Sequence, residues 1–354
     1  MLEINKATLN KIKIPLLILF LVIGFFAFKL LTHEEVVAQE IDYGKLQQIA
    51  QHNMGMVGEV GKDAIGIDPE EYLTTWNFNN LPPEERKKFY KETKRADGSL
   101  LREYWFYTED REIEVAPGIF FPAWTYNGQV PAPTIRATEG DLIRIYYGNS
   151  GTKHHTMHFH GFHTAEMDGA MTNQFVNPGD TFFYEFEAEP FGIHLYHCHS
   201  VPISEHLHRG LYGTYIVDPK KDTRPKPDKE LIMMMNGFDV NFDGESEIYS
   251  VNTIARYFVN NPIKVKQGEL VRIYLTNVLE FDQINSFHLH ANFFDEYPTG
   301  TELDPDFYTD ITVMGQGERS IIDVRFKFPG SYMFHAHKTE FAELGWMGFF
   351  EVEE

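Results

Sequence analysis

The segment Gly140-Asp141-Leu142-Ile143-Arg144-Ile145-Tyr146 returns later in the chain as Gly268-Glu269-Leu270-Val271-Arg272-Ile273-Tyr274. Both copies open with a glycine and an acidic residue and continue with β-branched residues that alternate with others. This alternation is the period of a strand with one buried face. Two copies of one strand in the same order indicate an internal repeat. The repeat predicts two similar β domains.

Histidine motifs follow the two strand copies in the same order. His158-Phe159-His160 corresponds to His288-Leu289-His290, and His197-Cys198-His199 corresponds to His335-Ala336-His337. On a strand, residues i and i+2 point to the same face, so each pair can direct two imidazoles to one side. Four such pairs at matching positions predict metal-ligand sites in both halves.

Changes in local residue composition along the chain set the predicted domain bounds. From residue 102 onward, short β-branched and aromatic runs alternate with Gly, Pro and Asn, as in a sandwich or barrel. We predict an all-β protein with one domain over residues 102–220 and a second over 228–354. Residues 32–101 carry helical or irregular signals, including the proline and acid pattern of a helix start at 81–85. We predict that this segment is a partly helical extension.

The amino terminus is an apolar run over residues 14–28, IPLLILFLVIGFFAF, preceded by three lysines. Its length is close to the minimum for one membrane span, and the lysines place the short amino end in the cytoplasm. We therefore predict a membrane anchor over residues 1–31. The alternative is a signal peptide cleaved near 36–38, where the side chains are small. In both cases the body of the protein is extracytoplasmic.

Composition limits the class of partner. Of the 354 residues, 43% are hydrophobic and 23% charged, which is typical of a globular protein. The formal net charge of −21 opposes binding to nucleic acid, whose phosphates would be repelled. An acidic soluble surface or a cationic partner fits this charge.

Cys198 is the only cysteine, so the chain has no intrachain disulfide. A free cysteine is often a small buried hydrophobic residue. Here two histidines flank it, and a thiolate with imidazoles is the ligand set of blue-copper centres. The motif therefore favours a copper site.

Taken together, these motifs resemble those of the multicopper oxidase family, in particular its two-domain members. The resemblance covers residues 102–354 and includes His158-x-His160-Gly161, followed by Asp168-Gly169. It implies two cupredoxin-like Greek-key domains and four coppers per subunit, namely one type 1, one type 2 and two type 3. The resemblance implies these ligands of the trinuclear cluster: His158, His160, His197, His199, His288, His290, His335 and His337.

The resemblance also implies one type 1 copper, in the first domain. Its ligands would be His155, Cys198 and His206. The second domain has Asn285 and Ala336 at the positions of His155 and Cys198, so it would hold no type 1 copper.

Two neighbours of the type 1 ligands matter for this interpretation. Leu211 falls at the axial position, and without a thioether ligand the reduction potential is expected to be higher. His208 is an alternative to His206 as ligand. Further histidines are expected to have hydrogen-bonding or exposed positions: His154, His163, His194 and His208.

By the same resemblance, the chain would oxidise a one-electron donor and reduce dioxygen to water. The donor could be a phenol, a metal ion, a small redox protein or a reduced nitrogen compound such as hydroxylamine. Asp168 is the candidate proton carrier near the cluster, although an Asp before Gly is also a common turn residue. The resemblance implies a homotrimer with each cluster between the first domain of one subunit and the second domain of the next.

Two other functions stay open at this point. A copper nitrite reductase shares the two domains, the trimer and the type 1 site, but has one type 2 copper and an aspartate where this chain has His158. That family also lacks a ligand at the position of His199. A non-catalytic copper or electron-transfer protein would need none of the eight cluster histidines.

Overall fold

A computed structural model describes residues 69–74 and 83–354, all of which lie in one compact unit, Asp42–Glu354. The predicted membrane anchor over residues 1–31 lies outside the described residues, as does most of the predicted extension. Within the described ranges, none of the helices has both the length and the apolar character that a membrane span requires.

The described helices are short and lie between strands or before them. They are α1 Pro69–Thr74, α2 Pro83–Phe89, α3 Ile203–His208, α4 Tyr257–Asn260 and α5 Thr339–Glu343, with 3-10 turns at Ala165–Met167 and Thr172–Gln174. Helix α2 begins at the predicted helix start, and Glu84 and Glu85 in its first turn interact favourably with the helix dipole.

The first half of the chain forms two sheets. Its strands are β1 Tyr90–Lys94, β2 Leu100–Ala116, β3 Ile119–Tyr126, β4 Ala132–Thr138, β5 Leu142–Asn149, β6 His158–Phe159, β7 Thr181–Glu187, β8 Gly192–His197 and β9 Tyr212–Asp218. One sheet has the order β1-β2-β5-β7, with β3 also paired to β2, and the other has the order β4-β9-β8-β6.

The second half forms two more sheets. Its strands are β10 Lys229–Phe238, β11 Ile248–Val251, β12 Ile263–Lys266, β13 Leu270–Asn277, β14 Ile284–Leu289, β15 Phe294–Pro298, β16 Phe307–Thr309, β17 Ile311–Gly315, β18 Arg319–Arg325, β19 Gly330–His335 and β20 Met347–Glu353. The orders are β11-β10-β13-β18-β15-β16 and β12-β20-β19-β14-β17.

The repeat seen in the sequence is also a repeat of strand pairing. The repeated segments are β5 and β13, and each lies between a parallel partner, β2 or β10, and an antiparallel partner, β7 or β18. In the other sheets, β4-β9-β8-β6 matches β12-β20-β19-β14. In β5 every second residue is buried, including Ile143 and Ile145, as the alternation predicts. The prediction of a mostly β architecture with two similar halves is confirmed.

Strands begin before residue 102, where the first domain was predicted to start. Strand β1 pairs antiparallel with β2, from Tyr90 opposite Tyr104 to Lys94 opposite Leu100. Only Tyr90 of this strand is buried, because β1 is an edge strand of mostly charged residues. Such a strand lacks the apolar alternation that would reveal it in a sequence.

The two halves meet through a polar network around Arg136 on β4. Its guanidinium donates to both carboxylate oxygens of Asp218 and to both of Glu230, at 2.8 to 2.9 Å. Tyr274 on β13 also donates to Glu230 at 2.7 Å. Asp218 ends β9 of the first half and Glu230 lies on β10 of the second. The network therefore fixes one half against the other.

Candidate metal centre

The mononuclear site lies inside the first half, among buried residues. Cys198 directly follows β8, His206 lies on α3, and His155 pairs as an isolated bridge with Val176. The Cys198 Sγ lies 3.1 Å from His206 Nδ1 and 4.0 Å from His155 Nδ1, and the two Nδ1 atoms are 3.1 Å apart. The structure thus brings the three predicted type 1 ligands together.

Burial sets the protonation of this group. Removal from water raises the pKa of the Cys198 thiol, and it lowers the pKa of His155 to about 2 and that of His206 to about 4. The imidazoles are therefore neutral, and their nitrogen lone pairs can face the sulfur. The backbone N–H of Thr156 donates to Sγ at 3.3 Å, which favours a thiolate. A soft sulfur with two neutral imidazoles fits copper.

His206, and not His208, is the histidine that reaches Cys198. The Nε2 of His208 instead accepts a hydrogen bond from the backbone N–H of Asp239 at 3.0 Å. Leu211 is fully buried, and its carbonyl accepts the Cys198 N–H at 3.0 Å. This bond holds the predicted axial residue beside the cysteine.

The first set of cluster histidines gathers where β6 meets β8. In this pairing His158 lies opposite His197. The His158 ring centroid is 5.3 Å from that of His160, 5.1 Å from that of His197 and 5.2 Å from that of His199. The Nε2 atoms of His160 and His197 are 3.3 Å apart.

The second set has the same arrangement where β14 meets β19. Here His288 lies opposite His335. The His288 ring centroid is 4.9 Å from that of His290, 5.4 Å from that of His335 and 5.3 Å from that of His337. The Nε2 atoms of His290 and His335 are 2.9 Å apart.

In both sets, backbone carbonyls fix the imidazole tautomers. His158 Nδ1 donates to the carbonyl of Asp168, and His288 Nδ1 donates to that of Asp310, both at 2.8 Å. His197 and His335 donate from Nδ1 to the carbonyls of the next residues, at 2.9 and 2.7 Å. With Nδ1 protonated, each Nε2 keeps a lone pair for a metal.

Burial also keeps several of these rings neutral. It lowers the pKa of His160 and of His197 to about 3, and it lowers the pKa of His158, His290 and His335. Two close Nε2 atoms without a proton between them repel each other through their lone pairs. A cation bound by both atoms removes this repulsion. The donor chemistry therefore fits copper, since imidazole is a preferred ligand of this metal.

The sequence analysis missed three supporting residues that the structure reveals. The hydroxyl of Thr156 accepts the backbone N–H of His199 at 3.0 Å, and the hydroxyl of Ser286 accepts that of His337 at 2.8 Å. Both lie two residues before a His-x-His pair, so aligning the repeats would have found them. Asp310 has no such signal, because it lies far along the chain from His288.

Asp168, the predicted proton carrier, lies beside the first histidine set. Its Oδ1 is 3.1 Å from His158 Nδ1 and 3.8 Å from His163 Nε2, and its side chain is 30% exposed. The carboxylate therefore connects the first histidine set with solvent.

The two histidine sets stay apart within the described part of one chain. Ligand atoms within 4.8 Å of one another form one group from His158, His160 and His197 and a separate group from His288, His290 and His335. His290 is exposed, whereas His197 is buried. Each set is therefore half of the predicted ligand shell.

The remaining predicted spare histidines have protein partners. His194 donates from Nε2 to the Pro190 carbonyl at 2.8 Å, and His163 donates to that of Phe159 at 2.7 Å. The ring of His154 stacks on Phe175 with centroids 4.9 Å apart. His163 forms a group of possible ligand atoms with His158 and Asp168, whereas His154 and His194 belong to none of the groups in the described residues.

Two family models for multicopper oxidases match adjoining segments of the chain, residues 109–222 and 223–354. The chain belongs to the multicopper oxidase family. The two matched segments adjoin between β9 and β10, at the junction of the two halves.

Solved structures and curated relatives agree with this membership. A structure described as a multicopper oxidase is 49% identical, with a TM-score of 0.77, and the match covers 83% of this chain and 100% of that one. A blue copper oxidase from Nitrosomonas europaea is 31% identical, with a TM-score of 0.64, and the match covers 71% and 85%. The copper-containing nitrite reductase of Neisseria meningitidis serogroup A is 30% identical over 65% of this chain.

The present chain spans a little under two thirds of the length of the curated nitrite reductases that it matches. For the Neisseria meningitidis serogroup A protein the share is 64%. The relatives thus include both oxidases and nitrite reductases. The choice between these two activities depends on the residues of the site.

Proposed function

We propose that this protein couples the one-electron oxidation of a donor to the four-electron reduction of dioxygen to water. The observation that carries the proposal is the pair of matched four-histidine sets, each with the same ring arrangement and the same Nδ1 hydrogen bonds. A single type 2 copper would use only three histidines. Eight imidazoles in two matched sets support a trinuclear cluster.

The proposed copper ligands are those that the chain brings together. His155, Cys198 and His206 would hold type 1 copper, beside Leu211. The two sets of four histidines would hold one type 2 and two type 3 coppers. Bound copper would supply one-electron transfer at the first site and dioxygen reduction at the second.

Cys198 is placed to connect the two proposed sites. Its peptide neighbours on both sides, His197 and His199, belong to the first histidine set. Two short covalent paths therefore join the thiolate to the imidazoles. Cys198 and His197 are buried, whereas His199 is partly exposed.

Asp168 is the proposed proton carrier. Its carboxylate oxygen Oδ1 lies 3.1 Å from His158 Nδ1, and the side chain is partly open to solvent. A carboxylate in this position can accept a proton from water and release it toward the cluster.

We further propose a homotrimer, because each chain carries two separate half sets. The first-half set of one subunit would meet the second-half set of the next, and three such contacts close a ring. An extracytoplasmic body with an N-terminal membrane anchor is proposed from the sequence alone.

A nitrite reductase activity is the second candidate, favoured by the nitrite reductase relative described above. It conflicts with the imidazoles of His158 and His199, which give ligands for additional metal. Oxidation of hydroxylamine is a variant of the main proposal with a reduced nitrogen donor. A non-catalytic electron-transfer protein would leave both histidine sets without a role.

Copper content and dioxygen uptake test the proposal together. We expect four coppers per chain and dioxygen consumption with at least one phenol, ferrous, cuprous or hydroxylamine donor. His199→Ala should lose cluster copper, whereas His194→Gln, outside the ligand sets, serves as the matched control. Two coppers per chain with nitrite reduction would support the reductase, and four coppers without any turnover would support electron transfer alone.

A further inference from the structure

Arg209 is a buried cation beside the proposed type 1 site. It follows α3, the helix that carries His206, and is 8% exposed. Its guanidinium carbon lies 5.2 Å from the ring centroid of Trp124 and 4.4 Å from that of Phe242. Two aromatic rings therefore surround the charge in place of water.

Trp124 contacts both this charge and the proposed copper ligands. Its centroid lies 4.8 Å from that of His206 and 5.2 Å from that of His155. The indole is 2% exposed, and its backbone N–H donates to the Arg209 carbonyl at 2.9 Å. A buried ring therefore separates the cation from the ligands, and a backbone hydrogen bond holds this ring against Arg209.

The charge of Arg209 is only weakly compensated. Nη1 donates to the Pro122 carbonyl at 2.9 Å, and Nε has no hydrogen-bond partner in the described structure. A single ion pair is described for it, at 3.7 Å from Nη2 to Glu205, whose side chain is 43% exposed. By contrast, the buried Arg272 donates twice to Asp323 at 2.7 Å.

The pKa of Arg209 reflects both its burial and the carboxylates around it. Burial lowers the pKa of Arg209, and the carboxylates of Glu205, Asp110 and Asp239 oppose this only in part. Burial is also the main cause of the lowered pKa of His206, with further contributions from His154, Lys153 and Arg209. The contacts of Trp124 with both Arg209 and His206 place this charge one ring away from a proposed copper ligand.

We propose that Arg209 raises the reduction potential of the type 1 copper. The inference rests on the proposed function, since it needs copper at His155, Cys198 and His206. Reduction adds one electron from the donor to cupric copper and forms cuprous copper, without bond or proton transfer to the arginine. A fixed positive charge nearby stabilises the less positive, cuprous state. Arg209 thus acts in the same direction as the missing thioether at Leu211.

Redox titration, followed by the visible absorption of the type 1 site, tests this in the full copper-loaded protein. Arg209→Gln should lower the potential by about 59 mV, so that the ratio of cuprous to cupric copper falls about tenfold at a fixed solution potential. Arg209→Lys keeps the charge and should stay near the wild-type value. Arg325→Gln, which removes an exposed charge in the second half, is the matched control.

Glu205→Gln gives an independent result of opposite sign. It removes the one described ion-pair partner of Arg209 at a partly exposed site, so the potential should rise, by less than Arg209→Gln lowers it. Arg209→Leu, which also removes the charge, replaces Arg209→Gln if that variant does not hold copper. An unchanged or higher potential in Arg209→Gln, or an unchanged or lower one in Glu205→Gln, overturns the inference. Absence of type 1 absorption in the wild type overturns the copper site itself, and the inference with it.

Discussion

Contacts of single histidines show which of two neighbours on one helix faces Cys198. His206 directs Nδ1 at the sulfur from 3.1 Å, whereas His208 accepts the Asp239 N–H with Nε2. Both rings are buried, so burial does not separate them. The difference arises because His206 and His208 are two positions apart, and residues at that spacing point to different sides of a helix.

Substitution of the two histidines should therefore have different results. His206→Gln should abolish the intense visible absorption of the type 1 site and lower the copper content by one per chain. His208→Gln should keep both, because its partner is a backbone N–H. Absorption spectra and metal analysis of the two variants measure this, and loss of the absorption in His208→Gln alone would contradict the assignment.

Buried histidines outside the ligand sets should make the copper-free protein sensitive to acid. Burial lowers the pKa of His194 to about 4 and that of His208 to about 3, whereas an unfolded histidine has a pKa of about 6.5. Between these values the unfolded chain binds more protons. The stability that these residues provide is therefore complete above about pH 6.5 and decreases as the pH falls toward 4.

We expect the free energy of unfolding to fall by about 1–2 kcal/mol per buried histidine between pH 7 and pH 5. Urea unfolding of copper-free protein at the two pH values measures this change. His194→Gln keeps a donor for the Pro190 carbonyl and removes the titration, so its pH dependence should be weaker. An equal pH dependence in wild type and variant would show that another group is responsible.

At the scale of elements, one turn positions the first histidine set. Gly169 follows Asp168 at the end of the 3-10 turn Ala165–Met167 and has a φ of +71°. A Cβ at this glycine would lie 2.3 Å from the carbonyl oxygen of Met157, the residue before His158. Only glycine allows the turn to lie so close to the strand that carries the ligand.

Gly169→Ala should destabilise the fold and disturb copper binding by the first set. Its matched control is Gly179→Ala, which also has a positive φ, of +87°, but meets nothing within 4 Å. The control should cost about 1–2 kcal/mol for backbone strain. Gly169→Ala should cost about 1–3 kcal/mol more, because the backbone must move. Urea unfolding and copper analysis compare them, and equal losses in the two variants would contradict this role of the turn.

For the whole molecule, the separation of the two histidine sets is the feature with the largest consequence. His160 and His290 belong to different groups of ligand atoms, and one chain holds each group as a half shell. In the proposed ring, neither half is complete without a neighbouring subunit. Copper content should therefore depend on assembly.

Mixed rings test this dependence. His160→Ala damages the first set and His290→Ala the second, so each variant alone should lack dioxygen uptake. After unfolding, mixing in equal amounts and refolding, about one quarter of the contacts should pair two intact sets and recover activity. Separately refolded variants, mixed afterwards without subunit exchange, are the control. No recovery in co-refolded trimers would contradict a cluster shared between subunits.

The sequence determined the local features of this protein. The repeated strand segments predicted two β halves, because alternation of buried residues is a property of neighbouring positions. The same spacing predicted that His158 and His160, or His288 and His290, share a face. The single Cys198, with Ala336 at the matching position, placed the mononuclear site in the first half.

Contacts between segments that are distant in the sequence are seen only in the folded structure. It brought His206 to Cys198, placed Asp310 beside His288, and added the charged edge strand β1. It also placed the charge of Arg209 behind Trp124, and it kept the two histidine sets apart in one chain. Packing and loop conformation bring these residues together, and neither leaves a periodic pattern in the sequence.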